Sequence, residues 1–188
     1  MTSAAPLKTT ALDMIINDHR TVDAMFQTYE ADPHAADVQS LIRGIIIDLV
    51  QHAEAEEQYL YPAARKVLAN GDRVIEHDIT EHTRAEQIMN SLDGMEPSHP
   101  EFDRLVRLLI SEIRQHVSEE EGITLSQLRN ALTEDDLVQL GGKLQQAKKI
   151  APTHPHPSAP DHPPFNKVMG AGPALVDRVR DFLNGDPK

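Results

Sequence analysis

The chain has 188 residues, 30 acidic against 18 basic, and a net charge of −12. A surface this acidic repels phosphate backbones, which sets nucleic acid aside as a partner. Cysteine and tryptophan are absent and aromatic residues make up 4%, so disulfides, thiolate metal sites and thiol catalysis are excluded and the core must be aliphatic.

Thr9 or Thr10 is placed to cap a first helix running to about Glu30, with Leu12, Ile15, Ile16, Val22 and Phe26 at a 3.6-residue period. The stretch ADPHAAD breaks it. A second helix is predicted from about Ala36, with Ile42, Ile45, Leu49, Leu60 and Ala63 on one stripe. Pro62 should bend its last turns, because proline lacks an N–H and crowds the carbonyl four residues back. NGD at Asn70–Asp72 marks a turn, and a third helix carries Ile75, Ile79, Met89 and Leu92. After DGMEPSHP, Ser98 and Glu101 stand in capping-box positions for a fourth helix with Phe102, Leu105, Leu109 and Ile113, which Gly122 is expected to interrupt. TEDD at Thr133 opens a fifth helix to about Ile150, with an acidic first turn that suits the helix dipole. The chain then becomes proline-rich, APTHPHPSAPDHPP, which reads as an extended linker before a short amphipathic helix, PALVDRVRDFL.

The N-terminal stretch has no apolar core of the kind a secretory signal carries. The longest apolar run, IIIDLV at Ile45–Val50, is far short of a membrane span. The expectation is a soluble, cytoplasmic protein with no membrane contact. Its oligomeric state is left open.

Four histidines fall on the apolar stripes: His19, His52, His82 and His116. Glu56 and Glu120 follow His52 and His116 by four positions, one turn along the same face. The spacings repeat. His19 and His82 are 63 positions apart, while His52 and His116, and Glu56 and Glu120, are each 64 apart. DHRTVDAMFQTYE aligns with EHTRAEQIMNSLD, which pairs Asp18 with Glu81, and HAEAEE aligns with HVSEEE. One helical hairpin is therefore duplicated. Two such hairpins predict an all-α, antiparallel up-down-up-down four-helix bundle over 1–132, an additional helix over 133–150, and the linker and short helix over 151–188.

A lone histidine on an apolar face is usually a packed core residue. Six ionisable groups in a duplicated pattern are another matter. Buried without partners, each would cost roughly several kcal/mol against a total stability of about 5–15 kcal/mol. A metal cluster supplies the missing positive charge. Imidazole and carboxylate without thiolate suit a transition metal rather than calcium or magnesium. Zinc would need only four ligands, whereas six across two symmetric halves fit two metals with bridging or terminal glutamates. Two ferric ions, two glutamates and one bridging oxide leave a modest residual charge and open coordination positions for a small ligand.

These segments, NDHR at His19, HAEAEEQYLYP from His52, TEH at His82 and HVSEEE from His116, resemble the hemerythrin-like, or HHE cation-binding, family over about residues 10–132. The proline-rich tail is similar to that of actinobacterial members. The resemblance implies two non-haem iron ions, with an oxo or hydroxo bridge, on His19, His52, Glu56, His82, His116 and Glu120. It also implies reaction with hydrogen peroxide, oxygen or nitric oxide in a redox stress response, including catalase-like turnover. The alternative is a non-enzymatic oxygen or iron sensor or binding module. The family's oxygen carriers use five histidines, an aspartate and a glutamate. Here four histidines lie on the stripe, and His77, five residues before His82, points roughly 140° away from it. Fewer imidazoles favour redox chemistry over reversible oxygen carriage.

Tyr59, seven residues after His52, shares its face and is a candidate donor or phenolate ligand, with packing near Pro62 the favoured role. Asp23 and Glu86, each four residues after a lone histidine, are candidates to orient those rings or to face solvent. Glu57 and Glu121 sit about 100° off the stripe and are expected in solvent, as is Glu54. His154, His156 and His162 are read as part of a disordered linker rather than a metal-loading tail.

Overall fold

A computed structural model describes residues 9–156 of the chain. Seven helices follow in order: α1 (Ala11–Ala31), α2 (Val38–Ala55), α3 (Tyr61–Val67), α4 (Gly71–Leu92), α5 (Phe102–Glu119), α6 (Ser126–Ala131) and α7 (Glu134–Ile150). Two π-helical turns, Glu56–Leu60 and Glu120–Leu125, join α2 to α3 and α5 to α6. Each of these pairs is thus one long, continuous rod. No strand occurs among the described residues.

Local chemistry accounts for the helix ends. Thr10 caps α1 in a capping box with Asp13, and Thr133 caps α7 in another with Asp136. Ser98 does not cap α5, which starts at Phe102 after Glu101. No side chain caps this helix, though the His99 ring accepts the Glu101 N–H through Nδ1 at 3.2 Å. Gly71 is required where α3 turns into α4, because a Cβ there would lie 2.8 Å from the Ala64 carbonyl oxygen.

The two interruptions expected from the sequence take one form. Pro62 sits at the start of α3 just past a π turn, and Gly122 lies inside the other π turn. Neither breaks its rod. A π turn adds one residue to the helix, so the following side chains rotate by about 100°. The buried residues after the first turn are accordingly Leu60, Tyr61 and Ala64, with Ala63 only half-buried.

The bundle's direction can be read from its two apolar clusters. One holds Val22, Phe26, Ile42, Leu49, Met89 and Leu109, and the other Leu12, Ile15, Leu60, Ile75, Leu125 and Leu128. Chain order visits the second cluster, the first, the second, then the first and second again as the four rods pass, giving an up-down-up-down antiparallel bundle. His19, His52, His82 and His116 each sit between residues of the two clusters. The polar layer therefore lies between two apolar ones.

Helix α7 packs across α1, α2 and the first π turn. Gly141 makes this approach close, since a Cβ there would meet the Ala11 nitrogen at 3.0 Å. The chain beyond α7 departs from the linker reading over its first residues. Ala151, Thr153 and His154 are buried. His154 Nδ1 lies 2.9 Å from Asp93 Oδ2, and the His156 N–H donates to Glu86 Oε1 at 2.8 Å. The proline-rich sequence docks because these polar partners await it on the bundle. His162 and the predicted PALVDRVRDFL helix lie outside the described residues. No described helix is long and apolar enough to cross a membrane.

Candidate metal centre

The structure brings all six sequence-selected side chains into one buried layer, none more than 8% exposed. His19, His52, Glu56 and Glu120 offer ligand atoms within 4.8 Å of one another, and so do Glu56, His82 and His116. Glu56 belongs to both groups. His19 Nε2 is 3.4 Å and His116 Nε2 3.9 Å from the same Glu120 oxygen. His52 Nε2 and His82 Nε2 lie 3.2 and 3.5 Å from Glu56 Oε2. Each glutamate thus faces a histidine from either repeat.

The outer ring nitrogens are held by carboxylates. Glu121 lies 2.9 Å from His19 Nδ1, Asp18 3.3 Å from His52 Nδ1, Glu57 3.0 Å from His82 Nδ1 and Glu81 2.9 Å from His116 Nδ1. Ionised carboxylates only accept, so each Nδ1 is the donor to its acid and each ring turns its Nε2 inward. The pattern obeys the duplication. Each lone histidine is gripped by the second glutamate of the other repeat, and each His-x-x-x-Glu histidine by the acid just before its own repeat's lone histidine.

These partners correct the sequence reading. Glu57 and Glu121 orient rings instead of facing solvent. Asp23 and Glu86 do not orient them: Asp23 takes Arg114 at 2.9 Å, and Glu86 takes the His156 N–H. Tyr59 packs against the second apolar cluster, as expected. The hydroxyl at the centre belongs to Tyr61, 1% exposed, which lies 3.3 Å from Glu56 Oε2 and 3.1 Å from His82 Nε2. The π turn explains the exchange, because the Tyr61 N–H bonds back five residues to the Glu56 carbonyl. Asp18 and Glu81 were visible in the duplication as an aligned acidic pair, and that alignment was the available signal. His77 stays outside the layer with its side chain 55% exposed.

The electrostatics call for positive charge. Among the described residues, His19 Nε2, His52 Nε2, Glu56 Oε1 and both Glu120 carboxylate oxygens are buried without a hydrogen bond. The Nε2 atoms of His82 and His116 face each other at 3.2 Å. The Tyr61 hydroxyl can satisfy one of those lone pairs, not both. Burial works against the charged form of His52, yet the Glu56 charge and the Asp18 bond outweigh it and push its pKa up to about 10. Burial and the neighbouring imidazoles His116, His52 and His19 hold His82 well below the usual histidine value. Burial opposes the Glu120 charge, but the His19 contact and the surrounding imidazoles keep its pKa below the usual carboxylate value. The two buried histidine and glutamate clusters could hold metal ions. Four imidazole nitrogens and two carboxylates, without thiolate, are a donor set suited to an imidazole-tolerant metal.

Comparison with known proteins agrees. The profile of the hemerythrin HHE cation binding domain matches residues 10–128. An uncharacterized hemerythrin-like protein of Schizosaccharomyces pombe is 29% identical over 93% of this chain and 87% of its own length. A DNA nickase of Nostoc sp. is 31% identical over 72% of this chain, which spans only 38% of that relative's length. The crystal structure of a hemerythrin HHE cation binding domain-containing protein from Mycobacterium kansasii superposes with a TM-score of 0.64 at 18% identity, covering 75% of this chain and 86% of that one. The fold, the buried histidine and glutamate clusters and the matching profile place this chain in the hemerythrin HHE cation binding domain family.

Proposed function

We propose that the chain is a non-haem di-iron protein that reacts with hydrogen peroxide, oxygen or nitric oxide in a redox stress response, with catalase-like turnover of peroxide. Its metal ligands would be His19, His52, Glu56, His82, His116 and Glu120. The observation that carries this reading is the inward set of Nε2 atoms, each ring held from behind by an acid.

Iron bound there would supply electron transfer to a small oxygen or nitrogen ligand. The protein's own residues do the rest. Glu121, Asp18, Glu57 and Glu81 fix ring tautomer and orientation and raise the basicity of the inward nitrogens. Tyr61 holds a hydroxyl proton beside Glu56 and His82, where it would be available as a proton donor. Its pKa stands well above the ordinary phenol value, through burial and then the Glu56 charge, so the proton is retained. The flanking apolar clusters exclude bulk water. The matched segment is a minor part of the nickase, and a net charge of −12 opposes binding to DNA, so nicking is not carried over to this chain.

Metal analysis with an absorption spectrum tests the ligand set, and about two irons per chain with oxo-to-iron charge-transfer bands are expected. Peroxide added to the purified protein should release oxygen, and His116→Ala or Glu56→Ala should abolish that release. Protein without metal, with His52→Ala as stable as the parent, refutes the reading. Bound iron without turnover favours the non-enzymatic sensor.

A further inference from the structure

The carboxylates that grip His52 and His116 are themselves held from outside, and the two halves do this differently. Asp18 turns Oδ2 to His52 and Oδ1 to the Lys148 ammonium of α7 at 2.6 Å. Glu81, its counterpart in the duplication, turns Oε2 to His116 at 2.9 Å. Its Oε1 faces outward, 3.5 Å from His77 Nε2. Helix α7 packs on α1 and α2 of the first hairpin, and among the described residues no lysine or arginine pairs with Glu81 as Lys148 pairs with Asp18. His77 and Glu119 stand there instead, where the duplication would put Met14 and Ala55. His77 Nε2 lies 3.0 Å from Glu119 Oε2, and Glu119 Oε1 accepts from Gln115 at 3.0 Å.

We propose that His77, Glu81 and Glu119 form a third, surface metal site for a divalent first-row transition ion, set where Lys148 places its charge in the other half. Three ligand atoms converge within 4.8 Å. The donors are one imidazole and two carboxylates, a set that suits iron(II), zinc or cobalt(II) and leaves positions for water. His77 and Glu81 are one turn apart on α4, and Glu119 closes the triangle from the end of α5. Glu81 is the decisive member: its side chain is 6% exposed, and its outer oxygen is aimed into the triangle. A dication there neutralises two carboxylates on a strongly acidic protein and draws electron density from Glu81. Its occupancy is therefore felt at His116, one hydrogen bond away.

The competing account is a plain ion pair with a protonated His77, and metal stoichiometry separates the two. The purified protein, with whatever metal its buried layer retains, is titrated with Co²⁺ by calorimetry and visible absorption. The parent should bind one equivalent more than His77→Ala, an exposed change that leaves the core intact. Glu119→Gln should weaken that equivalent by at least about tenfold, as loss of a charged ligand does. Equal Co²⁺ stoichiometry and affinity in parent and His77→Ala overturns the site, as does a parent that takes up none. The retained metal content reads the buried centre separately, because His77→Ala leaves it unchanged.

Discussion

Glu120→Met should change sign with metal content. Glu120 is fully buried, and neither carboxylate oxygen has a hydrogen bond. A buried unsatisfied group costs about 1–3 kcal/mol, and more when charged, while the 3.4 Å His19 contact offsets part of it. Methionine fills a similar volume with no oxygens. Without metal, the variant should therefore be more stable than the parent by about 1–3 kcal/mol, since buried ionic groups replaced by apolar ones of similar size are often stabilising. At about 2–4 °C per kcal/mol for a chain of this length, the melting temperature rises by roughly 2–12 °C. His52 keeps Glu56 and Asp18 as its partners, and Glu120 is the smallest of the charges acting on it, so its proton is not stranded in the variant. With metal, the variant lacks the carboxylate that His19 and His116 both face, and a hundredfold loss in affinity removes about 2.7 kcal/mol of ligand-derived stability. The assay is thermal unfolding by circular dichroism, with and without chelator. A metal-free variant that melts below the metal-free parent refutes the claim that this carboxylate is built for a cation.

Two further outcomes follow from the same layer. His52 has a folded-state pKa of about 10, above its ordinary 6.5, so its contribution to metal-free stability is present below about pH 6.5 and lost as pH rises through about 10. Urea midpoints of chelated protein should fall across that window, and a rise would contradict the assignment. Asp18→Ala and Glu121→Gln should each weaken metal retention about 10–100-fold against a competing chelator while leaving the ligands themselves in place; unchanged retention would reduce these acids to ordinary surface charges.

The helices and the six convergent side chains were legible because both signals are periodic. A 3.6-residue stripe marks each rod, and a histidine on it is conspicuous once Glu56 and Glu120 recur at the same separation. The π turns were legible only as interruptions at Pro62 and Gly122, not as π turns. They arise from a changed hydrogen-bond partner, not from a particular residue type, and they carry no distinct composition. Glu56 and Glu120 inside them were placed by their repeat and Tyr59 packs as expected, but Tyr61 was passed over, and Glu57 and Glu121 were sent to solvent. Asp18 and Glu81 show a different limit. Their alignment was plain, but the contact each makes is to a histidine on the next rod, which spacing along one helix cannot reveal. Residues 151–156 look like a linker by composition alone, because Asp93 and Glu86, which hold them, are remote in sequence.

The duplication is exact in the six proposed ligands and broken around them, so two metal positions held there would be inequivalent. Tyr61 beside Glu56 and His82 corresponds to Leu125 in the other repeat. Thr124 donates to the buried Asp78 at 3.0 Å, where the first repeat has Leu60 and Ile15. Burial, and then the Glu120 charge, push the Asp78 pKa up to about 7. One flank of the layer thus holds groups that can donate protons, and the other is apolar. A small oxygen ligand that accepts protons as it is reduced is better served on the Tyr61 flank. The iron spectrum of loaded protein should accordingly show two distinct sites. Tyr61→Phe removes one hydroxyl from a packed ring and should move the signal of one site, slow peroxide turnover by about 10²–10⁴-fold as loss of a positioned acid does, and leave iron content unchanged. Mössbauer spectra of iron-enriched parent and variant decide the matter. Two sites that shift together, or full turnover in the variant, would mean that the asymmetry is packing alone.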